Sequence, residues 1–134
     1  MGSPAAKQGD KVMATDTHIL LVPAPPGPPT PVPLPHPFAG TLTGGLSPTV
    51  KIEGKAAAVV GSTATNTPPH IPANPAAQFQ KKPADRGTVQ VGSQTVKIGG
   101  KPAARHGDSA MTCNDPADQA IGKIVVTGGT VKIG

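Results

Sequence analysis

Three observations predict an all-β fold: β-branched runs in period-two alternation, an internal repeat, and no helical pattern of useful length. The repeat is clearest in Thr95-Val-Lys-Ile-Gly-Gly-Lys-Pro-Ala-Ala-Arg-His-Gly-Asp108, a short strand followed by a tight turn. Thr49-Val-Lys-Ile-Glu-Gly-Lys-Ala-Ala-Ala-Val-Val-Gly-Ser62 matches it position for position. Thr130-Val-Lys-Ile-Gly134 repeats its first half at the C-terminus, and Ser3-Pro-Ala-Ala-Lys-Gln-Gly-Asp10 supplies the second half at the N-terminus. Val50 to Gly61 and Val96 to Gly107 are both 11 residues, and the same step from Val131, wrapped through the ends, lands on Gln8, one short of Gly9. The chain is therefore three copies of one unit with the cut inside a copy. Copies that cannot bury their own apolar face do so by packing on one another, so the expected body is a closed, pseudo-threefold assembly of β-hairpins with its termini side by side.

Taken in order, residues 1–22 hold the first turn, with Gly9-Asp10 at its reversal, and an arm ending in Asp16-Thr-His-Ile-Leu-Leu-Val22. Residues 23–37 place nine prolines in fifteen positions. That run predicts a stiff surface loop and argues against helix or central strand. The second copy spans 38–62, from Phe38-Ala-Gly-Thr-Leu-Thr43 through Gly44-Gly45 to the alanine-rich turn. An irregular excursion follows over 63–87, and the third copy over 88–108, where Thr88–Val91 is expected to pair with Gln94–Ile98. After an arm at 109–118, Lys123–Thr127 and Thr130–Ile133 read as a hairpin around Gly128-Gly129.

At 134 residues and 13.3 kDa the chain has room for one domain, residues 1–134. With two Phe and neither Tyr nor Trp, its core must be built from Ala, Val and Ile, so something besides apolar burial is expected to staple it. The 18 Pro and 17 Gly approach a disordered composition, but regular repeats with β-branched alternation argue against disorder. One cysteine leaves no intramolecular disulfide, and no leader-like or membrane-length apolar stretch is evident; manufacture and assembly in the cytoplasm are expected. The net charge of +5 comes from lysines spread over the repeats with no aromatic side chains between them, which argues against a nucleic-acid platform.

The excursions carry the metal-ligating residue types. Gly9 to His18 and Gly61 to His70 are each nine residues, and Gly107 to Cys113 is six. Equivalent arms of a threefold body end at equivalent places, so His18, His70 and Cys113 are expected to converge, with His36 arriving from the proline-rich loop. Three imidazoles and a thiolate form a zinc ligand set, and four protein ligands make a closed, structural site. His106 replaces Val60 of the second copy and reads as part of a turn. A nucleophilic Cys113–His pair lacks an orienting group and an oxyanion-donating motif, while a catalytic zinc would have only Asp16 as an adjacent carboxylate, so no enzymatic activity is expected.

The combination of Pro4-Ala-Ala-Lys7, Lys101-Pro-Ala-Ala-Arg105 with Gly107-Asp108, and the Thr-Val-Lys-Ile strands resembles the proline-alanine-alanine-arginine (PAAR) repeat proteins. These cap the spikes of contractile injection systems, including type VI secretion and related phage-tail-like particles. The resemblance implies a β-rich cone seated by its base, one monomer on a trimer, on a trimeric β-helical spike protein. It further implies a structural Zn2+ per chain at the apex held by His18, His36, His70 and Cys113, and a role in piercing a target membrane. Effectors are further partners in that family, and a cargo-recruiting module working through residues 23–37 is the alternative reading. The middle copy departs from the motif, with Ala56-Ala-Ala-Val59 and Gly61-Ser62.

Overall fold

The threefold repeat is visible in the backbone register of the computed structural model, which describes residues 2–127 and 129–134. Among these residues there are strands and turns but no helix. Strand β4 (Lys51–Ile52) pairs with β5 (Lys55–Ala56), and β9 (Lys97–Ile98) pairs with β10 (Lys101–Pro102). The third such pair joins the two ends of the chain: β13 (Lys132–Ile133) lies against β1 (Ser3–Pro4), with Lys132 opposite Pro4 as Lys51 is opposite Ala56. The two uncut hairpins turn through positive-φ pairs, Glu53-Gly54 and Gly99-Gly100, whose twist matches that of the flanking strands.

The alanine pairs lie where the copies meet. Ala6 N–H donates to the Ala104 carbonyl, Ala104 N–H to Ala58, and Ala58 N–H to Ala6, each at 3.0 Å, which closes a ring of three hydrogen bonds. These alanines are 0–1% exposed, because three backbones converging on one axis leave room for little more than a methyl group. Each turn that follows reverses at a glycine with φ near 90°, Gly9, Gly61 and Gly107. Each is closed by a side chain that accepts the backbone N–H three residues earlier: Asp10 from Lys7 (3.0 Å), Ser62 from Val59 (3.0 Å) and Asp108 from Arg105 (2.7 Å). Where the cap is aspartate, the residue it caps is a cation that also pairs with it, at 3.2 Å for Lys7 and 2.9 Å for Arg105.

Beyond the turns the chain builds a closed barrel. Strands β2 (Lys11–Val22), β3 (Thr30–Gly44), β6 (Thr63–Asn66), β8 (Arg86–Val89), β11 (Ser109–Thr112) and β12 (Gln119–Val125) pair in the order β12–β11–β8–β6–β3–β2 and back to β12, all antiparallel. The interior holds Val12, Phe38, Leu42, Ala64, Val89, Ala110 and Ile124; Phe38 is fully buried and is the largest side chain there. A second cluster, Ala5, Ile52, Ala57, Ala103 and Ile133, fills the base between the two-residue hairpins.

Three local expectations are corrected. Thr88–Val91 does not pair with Gln94–Ile98; β8 pairs with β6 and β11 instead, and Gly92-Ser93 turns onto Ala103, whose carbonyl accepts the Ser93 N–H at 2.8 Å. Lys123–Thr127 and Thr130–Ile133 form no hairpin, because β12 completes the barrel against β2 while β13 joins β1; Gly128 lies outside the described residues. Most of the proline-rich stretch is strand. From Thr30 onward it forms the distal half of β3, paired residue by residue with β2 from Val22↔Thr30 to Thr15↔Pro37. Pro31, Pro33, Pro35 and Pro37 occupy alternate positions, so their nitrogens all face away from β2, on the side where β6 pairs only with Gly40–Gly44. Proline is tolerated on such an edge because no ladder bond requires its N–H.

Candidate metal centre

The β2–β3 hairpin carries inward-facing residues at every second position, so Asp16, His18 and Leu20 share one buried face, with His36 opposite Asp16 in the register. Asp16, His18 and His36 are 0–2% exposed. His70 comes from the segment after β6, held by its backbone N–H donating to Asp85 Oδ1 at 2.8 Å. Asp85 itself sits at φ 55° and also accepts from Asn66 Nδ2. Cys113 follows directly on β11 and is 3% exposed. Asn114 and Asp115 next to it accept the N–H groups of Thr17 (2.7 Å) and Ile19 (2.9 Å), which completes the edge of β2 above the end of β12.

Four of these side chains converge. Asp16, His18, His70 and Cys113 each bring a ligating atom within 4.8 Å of the other three. Asp16 Oδ2 lies 3.0 Å from His70 Nε2 and 3.5 Å from Cys113 Sγ, and Cys113 Sγ lies 3.7 Å from His18 Nε2. A tetrahedral zinc with bonds of about 2.0–2.3 Å needs donor atoms about 3.3–3.8 Å apart, so these separations already approximate the required edges. The other carboxylate oxygen of Asp16 accepts from Thr112 Oγ1 and Asn114 Nδ2. His18 Nδ1 lies 3.5 Å from Asp115 Oδ2 without hydrogen-bond alignment and is buried with no hydrogen-bond partner. An imidazole that ligates through Nε2 carries its proton on Nδ1 and points it at a carboxylate, so the orphaned atom fits a metal-binding role.

The electrostatics favour a site that a cation would complete. Burial, then the neighbouring His70, pushes the His18 imidazole below its ordinary value, against the opposing pull of Asp115 and Asp16. Burial, then the Asp16 carboxylate, pushes the Cys113 thiol up to about 11. A divalent ion would reverse that penalty by stabilising the thiolate and satisfying the carboxylate. The donor set of two imidazoles, one thiolate and one carboxylate suits zinc and similar borderline ions.

The structure thus brings together His18, His70 and Cys113 of the expected ligands and adds Asp16. His36 lies beside them, its ring centre 5.5 Å from that of His18 and 5.8 Å from that of His70. Both of its nitrogens are engaged by backbone: Nδ1 is 2.9 Å from the Leu34 carbonyl, and Nε2 accepts the Ala73 N–H at 3.1 Å. Phe79, on β7 (Gln78–Phe79), packs against both His18 and His36. His106 stands apart, its Nδ1 accepting the Val126 N–H. Asp16 was open to discovery from sequence through the Asp-x-His alternation, which puts both side chains on one strand face.

Residues 79–134 match the family model of the PAAR motif. That segment of the chain carries the PAAR motif. The match covers the third copy and the closing strands, and the motif implies association with a spike protein. Its Pro-Ala-Ala-Arg segment is Pro102–Arg105, where Pro102 belongs to a base hairpin, Ala103 and Ala104 reach the axis, and Arg105 pairs with its capping Asp108. No curated protein matches the chain.

Proposed function

We propose that this protein is the metal-stiffened tip of a contractile injection particle, of the type VI secretion or phage-tail-like kind, seated by its base on the trimeric end of a β-helical spike protein. The observation that carries this reading is the threefold base. Val50, Val96 and Val131 occupy equivalent places and are 38, 37 and 40% exposed, and each is followed by an exposed lysine, Lys51, Lys97 or Lys132. A monomer has no need of the same exposed apolar and basic strip three times over, whereas a threefold partner would meet all three alike. Covering these short edge strands also removes an aggregation hazard.

The ion in this reading is a structural Zn2+ held by Asp16, His18, His70 and Cys113, which closes all four positions and leaves none for a substrate. It ties β2, the segment after β6 and the end of β11 into one point, in a chain whose small side chains give little burial per residue. Such a tip works by stiffness and shape, without turnover, and is assembled in the cytoplasm before the particle carries it out to pierce its target. Docking is tested by co-purification with the C-terminal segment of the cognate spike protein. The variant Val50→Asp, Val96→Asp, Val131→Asp is expected to lose the complex while keeping its zinc content and Tm. Retention of wild-type binding by this triple variant sinks the base-docking reading.

A further inference from the structure

The β2–β3 hairpin projects beyond the barrel, and its chemistry differs from that of the rest of the surface. β12 pairs with β2 only over Lys11–Met13, and β6 pairs with β3 only over Gly40–Gly44. The paired strands continue past the metal centre to Val22 and Thr30, where residues 23–29 turn. Residues 19–35 contain no charged side chain and a single hydroxyl, Thr30, in a chain whose base carries lysine in every copy. Residues 23–31 are all exposed.

The backbone of this prong is adapted in the same direction. An exposed strand edge normally presents unpaired N–H groups, each costly to remove from water. Along the outer edge of β3 those positions are Pro31, Pro33, Pro35 and Pro37, which have no N–H, and the next, Ala39, donates to Asn66 Oδ1. On the β2 edge, Asn114 and Asp115 accept from Thr17 and Ile19, and β7 pairs with Leu20 and Leu21. The backbone edges of β2 and β3 therefore retain carbonyls but almost no free N–H groups, and the exposed amide of Gln78, on β7 opposite Leu21, is the polar side chain at that height.

We propose that the prong is a lipid-entering wedge whose partner is the hydrocarbon of a phospholipid bilayer. The inference rests on the reading of the base as the docked end, which leaves the hairpin pointing outward. Its dimensions fit one leaflet. Ile19–Val22 spans roughly 10 Å of paired strand, the turn adds its own height, and half a hydrocarbon core is about 15 Å. Lys81 and Lys82 stand at the foot of the wedge, both exposed, immediately after Gln80, whose N–H donates to the Ile19 carbonyl. There they would meet phosphates when the apolar residues above them are immersed.

The chain contains no tryptophan, so one introduced residue reports alone. Gly27 is suitable because a Cβ there would meet only the Ala24 carbonyl, at 3.5 Å. The zinc-loaded Gly27→Trp protein is mixed with phosphatidylcholine vesicles carrying brominated acyl chains; these have no net charge, so the basic base is not drawn to them. Blue-shifted, bromine-quenched emission is expected from Gly27→Trp, none from a base control Lys55→Trp, and loss of the effect when Pro28→Asp and Pro29→Asp are added. Ala24→Trp, exposed in the same turn, serves if Gly27→Trp does not fold. Unquenched emission from the prong, or equal quenching from prong and base, overturns the proposal. Capture of a proline-binding protein partner without lipid entry also overturns it and makes the hairpin a peptide ligand. If Gly27→Trp still co-purifies with the spike segment but stays out of lipid, only the wedge fails; if wild-type protein does not co-purify, the docking reading fails instead.

Discussion

Replacing Asp16 with asparagine separates a ligand from a neighbour at the metal centre. The side chain keeps its shape, and Thr112 Oγ1 and Asn114 Nδ2 keep an acceptor, but the anionic oxygen 3.0 Å from His70 Nε2 and 3.5 Å from Cys113 Sγ is lost. Loss of a carboxylate that only orients a ligand weakens metal binding about 10–100-fold, so a ligand should cost at least the upper end of that range. With free zinc at about 100 times the wild-type Kd, binding stabilises the fold by about 2.7 kcal/mol; a hundredfold weaker site retains about 0.4 kcal/mol. The difference, about 2.3 kcal/mol, corresponds to about 7–12 °C of Tm for a chain of this length. The assay is the zinc-dependent rise in Tm, measured against the metal-free form of each variant so that effects on folding alone cancel. His36→Gln, by contrast, is expected to retain most of the rise, because both His36 nitrogens are held by the backbone of Leu34 and Ala73. A full zinc-dependent rise in Asp16→Asn together with its loss in His36→Gln would refute this reasoning and return the fourth position to His36.

Three further outcomes are expected. Because the Cys113 thiol is raised to about 11, zinc binding at pH 8 should release about one proton per ion, and affinity should rise about tenfold per pH unit up to that value; calorimetry in buffers of different ionisation enthalpy measures both. His18, lowered from its ordinary value, is neutral at that pH and adds no proton. The same thiol makes the metal-free protein lose stability as pH rises from about 9 to about 11, since the unfolded chain ionises there first. Ser62→Asp would restore the motif's capping residue and yet should destabilise the fold by about 3 kcal/mol in denaturant titration, because Ser62 is fully buried and its partner position holds Val59 in place of a cation. Adding Val59→Arg should recover part of the loss.

The base and the barrel were unequally legible in the sequence. The two-residue hairpins follow from local signals, β-branched residues closed by Glu53-Gly54 or Gly99-Gly100, and the repeat spacing correctly joined the two ends through β1 and β13. The barrel order depends on which distant strand reaches an edge first, and nothing local to Thr88–Val91 or Lys123–Thr127 states that. The proline-rich stretch misled because proline excludes a strand only where its nitrogen must donate, and alternate spacing puts every such nitrogen on the open edge. His18 and His70 were legible from equal distances to Gly9 and Gly61. Cys113 does not occupy the equivalent place, which is Pro116, and reaches the centre from a shorter arm. Asp16 does not stand out as a ligand in the sequence, because it falls outside the matched arm-end positions and an aspartate beside a metal reads equally as an acid-base group.

The ring of three hydrogen bonds through Ala6, Ala58 and Ala104 has a consequence for the order of assembly. No two copies can close it, since Ala104 of the third copy completes it, and separately β13 against β1 and β12 against β2 join early residues to late ones. β2 can pair with its neighbour β3 and β12 with its neighbour β11, but the contacts that close the ring and the barrel are long-range, and loop-closure entropy must be met before they compensate for it. A chain stopped short of Gln119 has no keystone and leaves the edge of β2 bare. Closure of the body therefore requires residues from all three copies at once, so a segment lacking any one copy has no closed base to offer a threefold partner.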